Sequence, residues 1–137
     1  MKTLITLAVA ATVAITACGG TEGSSTVAST VPAATARLEL IALAGPVCPV
    51  ESDPPSPDCA PRAVGGAFVI VTDVRGSEVA RGATAVDGTL ALDVPAGELT
   101  ITPQAVEGLL GTAPPMIVTI AAGQTLQLTA DYDTGIR

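Results

Sequence analysis

From position 37 onward, hydrophobic and polar residues alternate along much of the chain, the period of a strand with one buried face. Arg37-Leu38-Glu39-Leu40 opens such a run, and the pattern carries it to Leu43. Ala67 to Asp73 (AFVIVTD) is a short apolar run rich in β-branched residues, and Glu78 to Gly82 is a weaker candidate suited to a sheet edge. Thr89 to Val94, Leu99 to Thr102 and Thr125 to Ala130 alternate cleanly, and Met116 to Ala121 completes the set. Turn signals separate these runs. Asp87-Gly88 stands where a tight turn needs a positive φ, Pro95-Ala96-Gly97 follows the next strand, and Pro114-Pro115 blocks a helix. About seven short strands with no competing helix predict an all-β fold, a single antiparallel β-sandwich over residues 37–137. Its core is expected to be aliphatic, because Phe68 and Tyr132 are the only aromatic residues.

The N-terminus follows another rule. Lys2 supplies a positive start, and Leu4 to Ala14 form an apolar run. A spanning helix needs about 20 apolar residues, so this run fits a secretory h-region instead. The tetrapeptide Ile15-Thr16-Ala17-Cys18 that ends it resembles the lipobox of bacterial lipoproteins. The resemblance implies a signal peptide over 1–17, removed before Cys18, whose thiol carries diacylglycerol with chains such as palmitate. Residues 18–36 then read as a flexible tether of Gly, Ser, Thr and Ala interrupted by Pro32. A coil of that length spans about 25 Å. Each buried CH₂ of the anchor contributes about 0.8 kcal/mol, so a multi-chain lipid holds stably. The expected location is the bacterial cell envelope, outside the cytoplasm and attached to a membrane through Cys18.

Composition removes most chemistries. There is no histidine among 137 residues, hence no imidazole base, no Ser-His-Asp triad and no His-ligated zinc. Lys2, the sole lysine, leaves with the signal and takes Schiff-base chemistry with it. The net charge of −7 and the scattered arginines offer no cationic footprint for nucleic acid. One Phe and one Tyr cannot build stacking platforms for bases or sugars. Paired-carboxylate glycoside hydrolysis is disfavoured for the same reason. The expectation is a non-enzymatic protein without a cofactor.

The stretch Thr84-Ala85-Val86-Asp87-Gly88-Thr89-Leu90-Ala91-Leu92-Asp93-Val94-Pro95-Ala96-Gly97-Glu98-Leu99-Thr100-Ile101 resembles the heart of carboxypeptidase regulatory-like domains, relatives of transthyretin-like and collagen-adhesin B-type repeats. The upstream strand from Gly66 to Asp73 fits the same pattern. The resemblance implies a prealbumin-like sandwich with an accessory role. Leu90 and Leu99 stand where that pattern usually has Phe and Tyr, and the lysine of an adhesin-type internal isopeptide is missing.

Residues 45–65 form the most unusual segment, Pro-rich and acidic through Glu51, Asp53 and Asp58. With Cys18 lipidated, Cys48 and Cys59 are the remaining thiols, and an oxidising compartment favours their pairing. A metal or redox role is the alternative, weakened by the absence of His and of a CxxC motif. A stapled acidic loop on a rigid scaffold suits recognition of an envelope protein or surface ligand. Asp131 and Asp133, or the acids of the loop, could instead serve calcium, although neither cluster has EF-hand spacing. The leading expectation is an interaction or structural module of the envelope, and the alternative is a small-ligand or calcium-binding lipoprotein.

Overall fold

A computed structural model describes residues 33–50 and 52–136. The signal peptide, Cys18, Glu51 and Arg137 lie outside the described residues. Eight strands form: β1 (Thr35–Gly45), β2 (Arg62–Ala63), β3 (Phe68–Asp73), β4 (Glu78–Ala83), β5 (Thr89–Pro95), β6 (Gly97–Pro103), β7 (Met116–Ile120) and β8 (Thr125–Asp133). The first sheet is centred on β1, with β8 on one side and β5 followed by the short β2 on the other. The second runs β4-β3-β6-β7. The described residues therefore form an all-β, two-sheet sandwich.

Period-two patterning positions each sheet. On β1 the side chains of Ala36, Leu38, Leu40, Ala42 and Ala44 turn inward and are buried, while Arg37, Glu39 and Ile41 face out. Val69 and Val71 on β3, Leu99 and Ile101 on β6, and Val94 on β5 meet them in the core. That core is aliphatic as expected, with one exception: Tyr132 is its largest fully buried side chain. Phe68, the other ring, stays partly exposed.

Two expectations need correction, and one strand was not foreseen. The sandwich is not wholly antiparallel, because β1 and β8 run parallel over the register Arg37↔Thr125 to Gly45↔Asp133. Alternation shows which face of a strand is buried but not the direction of its neighbour. Strand bounds also move: β1 starts at Thr35, inside the expected tether, and continues past Leu43 to Gly45, while β8 runs past Ala130 to Asp133. Finally, β2 pairs with Leu43 and Ala44 through only two residues, too few to display a period.

The Asp87-Gly88 turn forms, with Gly88 at φ +79. It joins β4 of one sheet to β5 of the other, so it acts as a corner between sheets. Beside it, the buried Thr84 hydroxyl donates to the Val64 carbonyl at 2.6 Å and accepts from the Ala67 N–H at 2.9 Å. Asp87 accepts from the Thr89 hydroxyl at 2.6 Å and the Thr89 N–H at 3.0 Å. Chiefly through that hydroxyl, its pKa lies below the ordinary 3.8. A depressed carboxylate pKa contributes stability above the unfolded-state value that is lost as pH falls through the folded one. In Thr89→Val the Asp87 carboxyl is expected to titrate closer to 3.8, and its contribution should then fade at higher pH during acid unfolding. An NMR titration of the Asp87 side chain checks this.

Candidate functional site

The strand directions separate short connections from long ones. Among the described residues, the connections at the end of the sandwich where β1 begins are the 74–77 turn, the single residue Ala96 and the 121–124 turn. Gly123 donates to the Thr35 carbonyl at 2.8 Å and Ala96 to that of Ala34 at 2.7 Å, drawing two of these turns tightly against the start of β1. At the opposite end, where β1 and β8 finish, lie residues 46–61, the Asp87 corner, residues 104–115 and residues 134–136.

The first of these segments is the stapled loop. Cys48 and Cys59 form a disulfide with their Cα atoms 5.3 Å apart. A short 3₁₀ turn, Pro57–Cys59, leads into the second cysteine. The β1·β2 pairing closes the loop's base, and Thr134 ties it to the C-terminal segment through its hydroxyl to the Pro46 carbonyl and its N–H to the Gly45 carbonyl. Asp53 and Asp58 project from it exposed. Crosslinking eleven positions apart restricts the unfolded chain by about 3 kcal/mol in the chain-entropy model. Reduction is expected to lower the melting temperature by roughly 12 °C or more for a domain of this size, while far-UV circular dichroism keeps its β signature. Thiol titration of the oxidised protein should detect neither Cys48 nor Cys59.

Residues 104–115 were not singled out by sequence patterning, and they form the other wall of the site. The Tyr132 hydroxyl donates to the Gln104 carbonyl at 3.0 Å, and the Leu110 N–H donates to the Asp133 carbonyl at 2.9 Å. Burial holds the Tyr132 phenol above its ordinary pKa of 10.0. Between the two walls is a cleft of about 460 Å³, with Val47, Val64, Val106, Leu109 and Ile136 among its lining and Arg62 and Glu107 as its charged groups. Leu110 is 65% exposed nearby. A sequence signal for this wall existed in the loss of alternation after Pro103 and in Gly108, Gly111 and Pro114-Pro115.

The charge on this end is acidic. Among the described residues, the ion pairs are Arg37 with Glu39 and Asp93, and Arg81 with Glu78, and none of them lies among the long loops. Among the described residues no three Cys, Asp or Glu side chains gather as a metal site.

No protein-family model matches the chain, and no curated protein matches it. Solved structures do match in fold. The minor pilin GBS52 of Streptococcus agalactiae superposes with a TM-score of 0.57 at 14% identity, over 73% of this chain and 44% of the pilin. The shaft pilin SpaA of Lactobacillus rhamnosus GG gives 0.53 at 10%, over 72% and 48%. The TIE protein of Bacillus anthracis gives 0.54 at 17%, over 72% of this chain and 17% of that protein. The fold is that of Gram-positive pilin domains. It is a prealbumin-like β-sandwich. The chain spans less than half the length of each of these three proteins.

Proposed function

We propose that the protein is a lipid-anchored, non-enzymatic module of the bacterial envelope that offers its long-loop end to a protein partner. One observation carries this reading: the stapled loop, residues 104–115 and the apolar cleft between them all lie at the end of the sandwich opposite the start of β1. A tether from Cys18 joins the domain in sequence at β1, whose start is at the end opposite the cleft. Solved neighbours that are pilin subunits of Gram-positive bacteria agree with an envelope location and a structural or binding role. The absence of histidine argues against the commonest catalytic toolkits. The cleft's chemistry, aliphatic walls with one guanidinium and one carboxylate, suits an aliphatic side chain on an extended polypeptide. Glu51, Asp53 and Asp58 would then meet basic groups flanking that side chain.

Two experiments test the proposal. Cys18→Ala should abolish acyl labelling and membrane fractionation, and a variant still labelled and membrane-bound would refute the anchor. Photo-crosslinkers placed at Asp58 and Leu110 in the full chain should give a discrete adduct in intact cells, whereas one at Val74, on the opposite end, should not. Equal adducts from both ends would refute the loop-end assignment.

A further inference from the structure

We propose that β8 is a pairing edge, and that its occupant is β8 of a second copy of this chain, joined antiparallel across a two-fold axis. The hydrogen-bond parity of the strand is the starting observation. The Arg37 N–H donates to the Gln124 carbonyl at 2.8 Å while Arg37 sits in register with Thr125. In a parallel ladder this commits the even-numbered residues of β8 to β1 and turns the N–H and C=O of Thr125, Gln127, Thr129 and Asp131 to the outer edge. The Leu110 N–H on the Asp133 carbonyl confirms the parity, because it closes the next odd-numbered position. Residues 125–131 are the part of that edge left open.

An open edge of this length is normally guarded by charge, proline, a bulge or a covering element. The other three outer edges have such guards. β4 carries the Arg81–Glu78 ion pair and lies beside a register shift at Val71/Thr72. β7 is five residues long and is preceded by Pro114-Pro115. β5 carries Asp93, paired with Arg37, and ends at Pro95. Along 125–131 of β8 there is no proline, no register shift and one charge, Asp131. Leu126 and Leu128 remain half-buried there, whereas Ala130 and Tyr132 on the same face are buried.

The strand is self-complementary about Leu128. Antiparallel pairing centred there sets Gln127 opposite Thr129 of the second copy and Thr125 opposite its Asp131, so no acid faces an acid. On the inner face Leu128 meets its own equivalent and Leu126 meets Ala130, which covers the apolar surface left open. Every outward N–H and C=O between 125 and 131 finds a partner, and the β5-β1-β8 layers of two copies merge into one continuous sheet. The interface is isologous and closed, so association stops at two.

The test uses the full chain extracted from membranes in detergent. Facing residues in such a pair have Cα atoms about 5.5 Å apart, within disulfide range. Gln127→Cys co-expressed with Thr129→Cys is expected to give a disulfide-linked dimer, and Ile117→Cys, on the β7 edge, is not. Gln127→Lys combined with Thr129→Lys sets like charges opposite each other twice and should weaken the dimer's association constant about tenfold. Thr129→Pro removes an outward N–H that β1 does not use, so it should yield a folded monomer by light scattering. A monomer at high micromolar concentration would overturn the proposal, as would dimers crosslinked through Ile117→Cys or dimers indifferent to the double lysine variant. Should Thr129→Pro fail to fold, the lysine pair on the exposed face still decides the outcome.

Discussion

Tyr132→Ala is expected to cost about 4 kcal/mol, the range for removing a buried ring, and to lower the melting temperature by roughly 16 °C or more. The ring is 2% exposed and is the largest side chain fully inside a core otherwise built from Ala, Val, Leu and Ile. Small aliphatic neighbours cannot expand to fill its space, so the vacated volume remains as a cavity. Tyr132→Phe isolates the hydroxyl. It keeps the packing and leaves the Gln104 carbonyl without its donor, a loss of about 1 kcal/mol. The phenol also gives a direction in alkali: its pKa is raised in the folded state, so as pH climbs past 10.0 the unfolded chain ionises first and stability falls. Chemical denaturation of both variants checks the ratio. A Tyr132→Ala loss no larger than that of Tyr132→Phe would mean the ring fills no core volume.

The second large effect is at Gly88. It adopts φ +79, and an added Cβ would lie 2.6 Å from the Ala42 carbonyl oxygen and 3.2 Å from both the Ala63 Cβ and the Val64 nitrogen. Left-handed backbone costs a non-glycine residue about 1–2 kcal/mol, and forced overlap in a packed site adds about 1–3 more. Gly88→Ala is therefore expected to lose about 4 kcal/mol. The overlap cannot relax cheaply, because Ala42 donates its N–H to the Gly88 carbonyl at 2.8 Å and accepts from Val64 at 2.9 Å. Gly66→Ala is the control: its φ is +75, but nothing lies within 4 Å of the added carbon. It should lose only about 1–2 kcal/mol from backbone strain. Equal melting temperatures for the two variants would show that crowding at the corner is unimportant.

Much of the architecture was legible because burial on one face imposes a period of two, and Leu38, Leu40, Val69, Val71 and Leu99 keep it without interruption. The edge position of β4 was legible too, since Glu-Val-Ala-Arg-Gly is too polar for the sheet interior. Partner choice was not legible: residues 125–130 alternate in the same way whether β8 runs with or against β1. The burial of Tyr132 escaped for a related reason, as an amphipathic ring near a chain end suits either a rim or a core. The stapled loop stood out through its prolines and cysteines. Its opposite wall at 104–115 has no cysteine and only the Gly and Pro114-Pro115 signals of an ordinary loop, and the two come together only because β1 and β6 finish at the same end of the sandwich.

The parallel seam between β1 and β8 also constrains the order of folding. Residues 88 positions apart in the chain are neighbours across it, so the central strand of the first sheet lacks one side until the last strand arrives. Contacts of such separation make β-sandwiches slow folders, on the scale of milliseconds to seconds. A chain made from its N-terminus presents β1 first and β8 after every other strand of the sandwich, and through that interval the apolar face of Leu38 and Leu40 has no β8 beside it. Completion of the sandwich therefore waits until residues 125–133 are available, and the half-built first sheet before that point is the state of this domain most open to proteases.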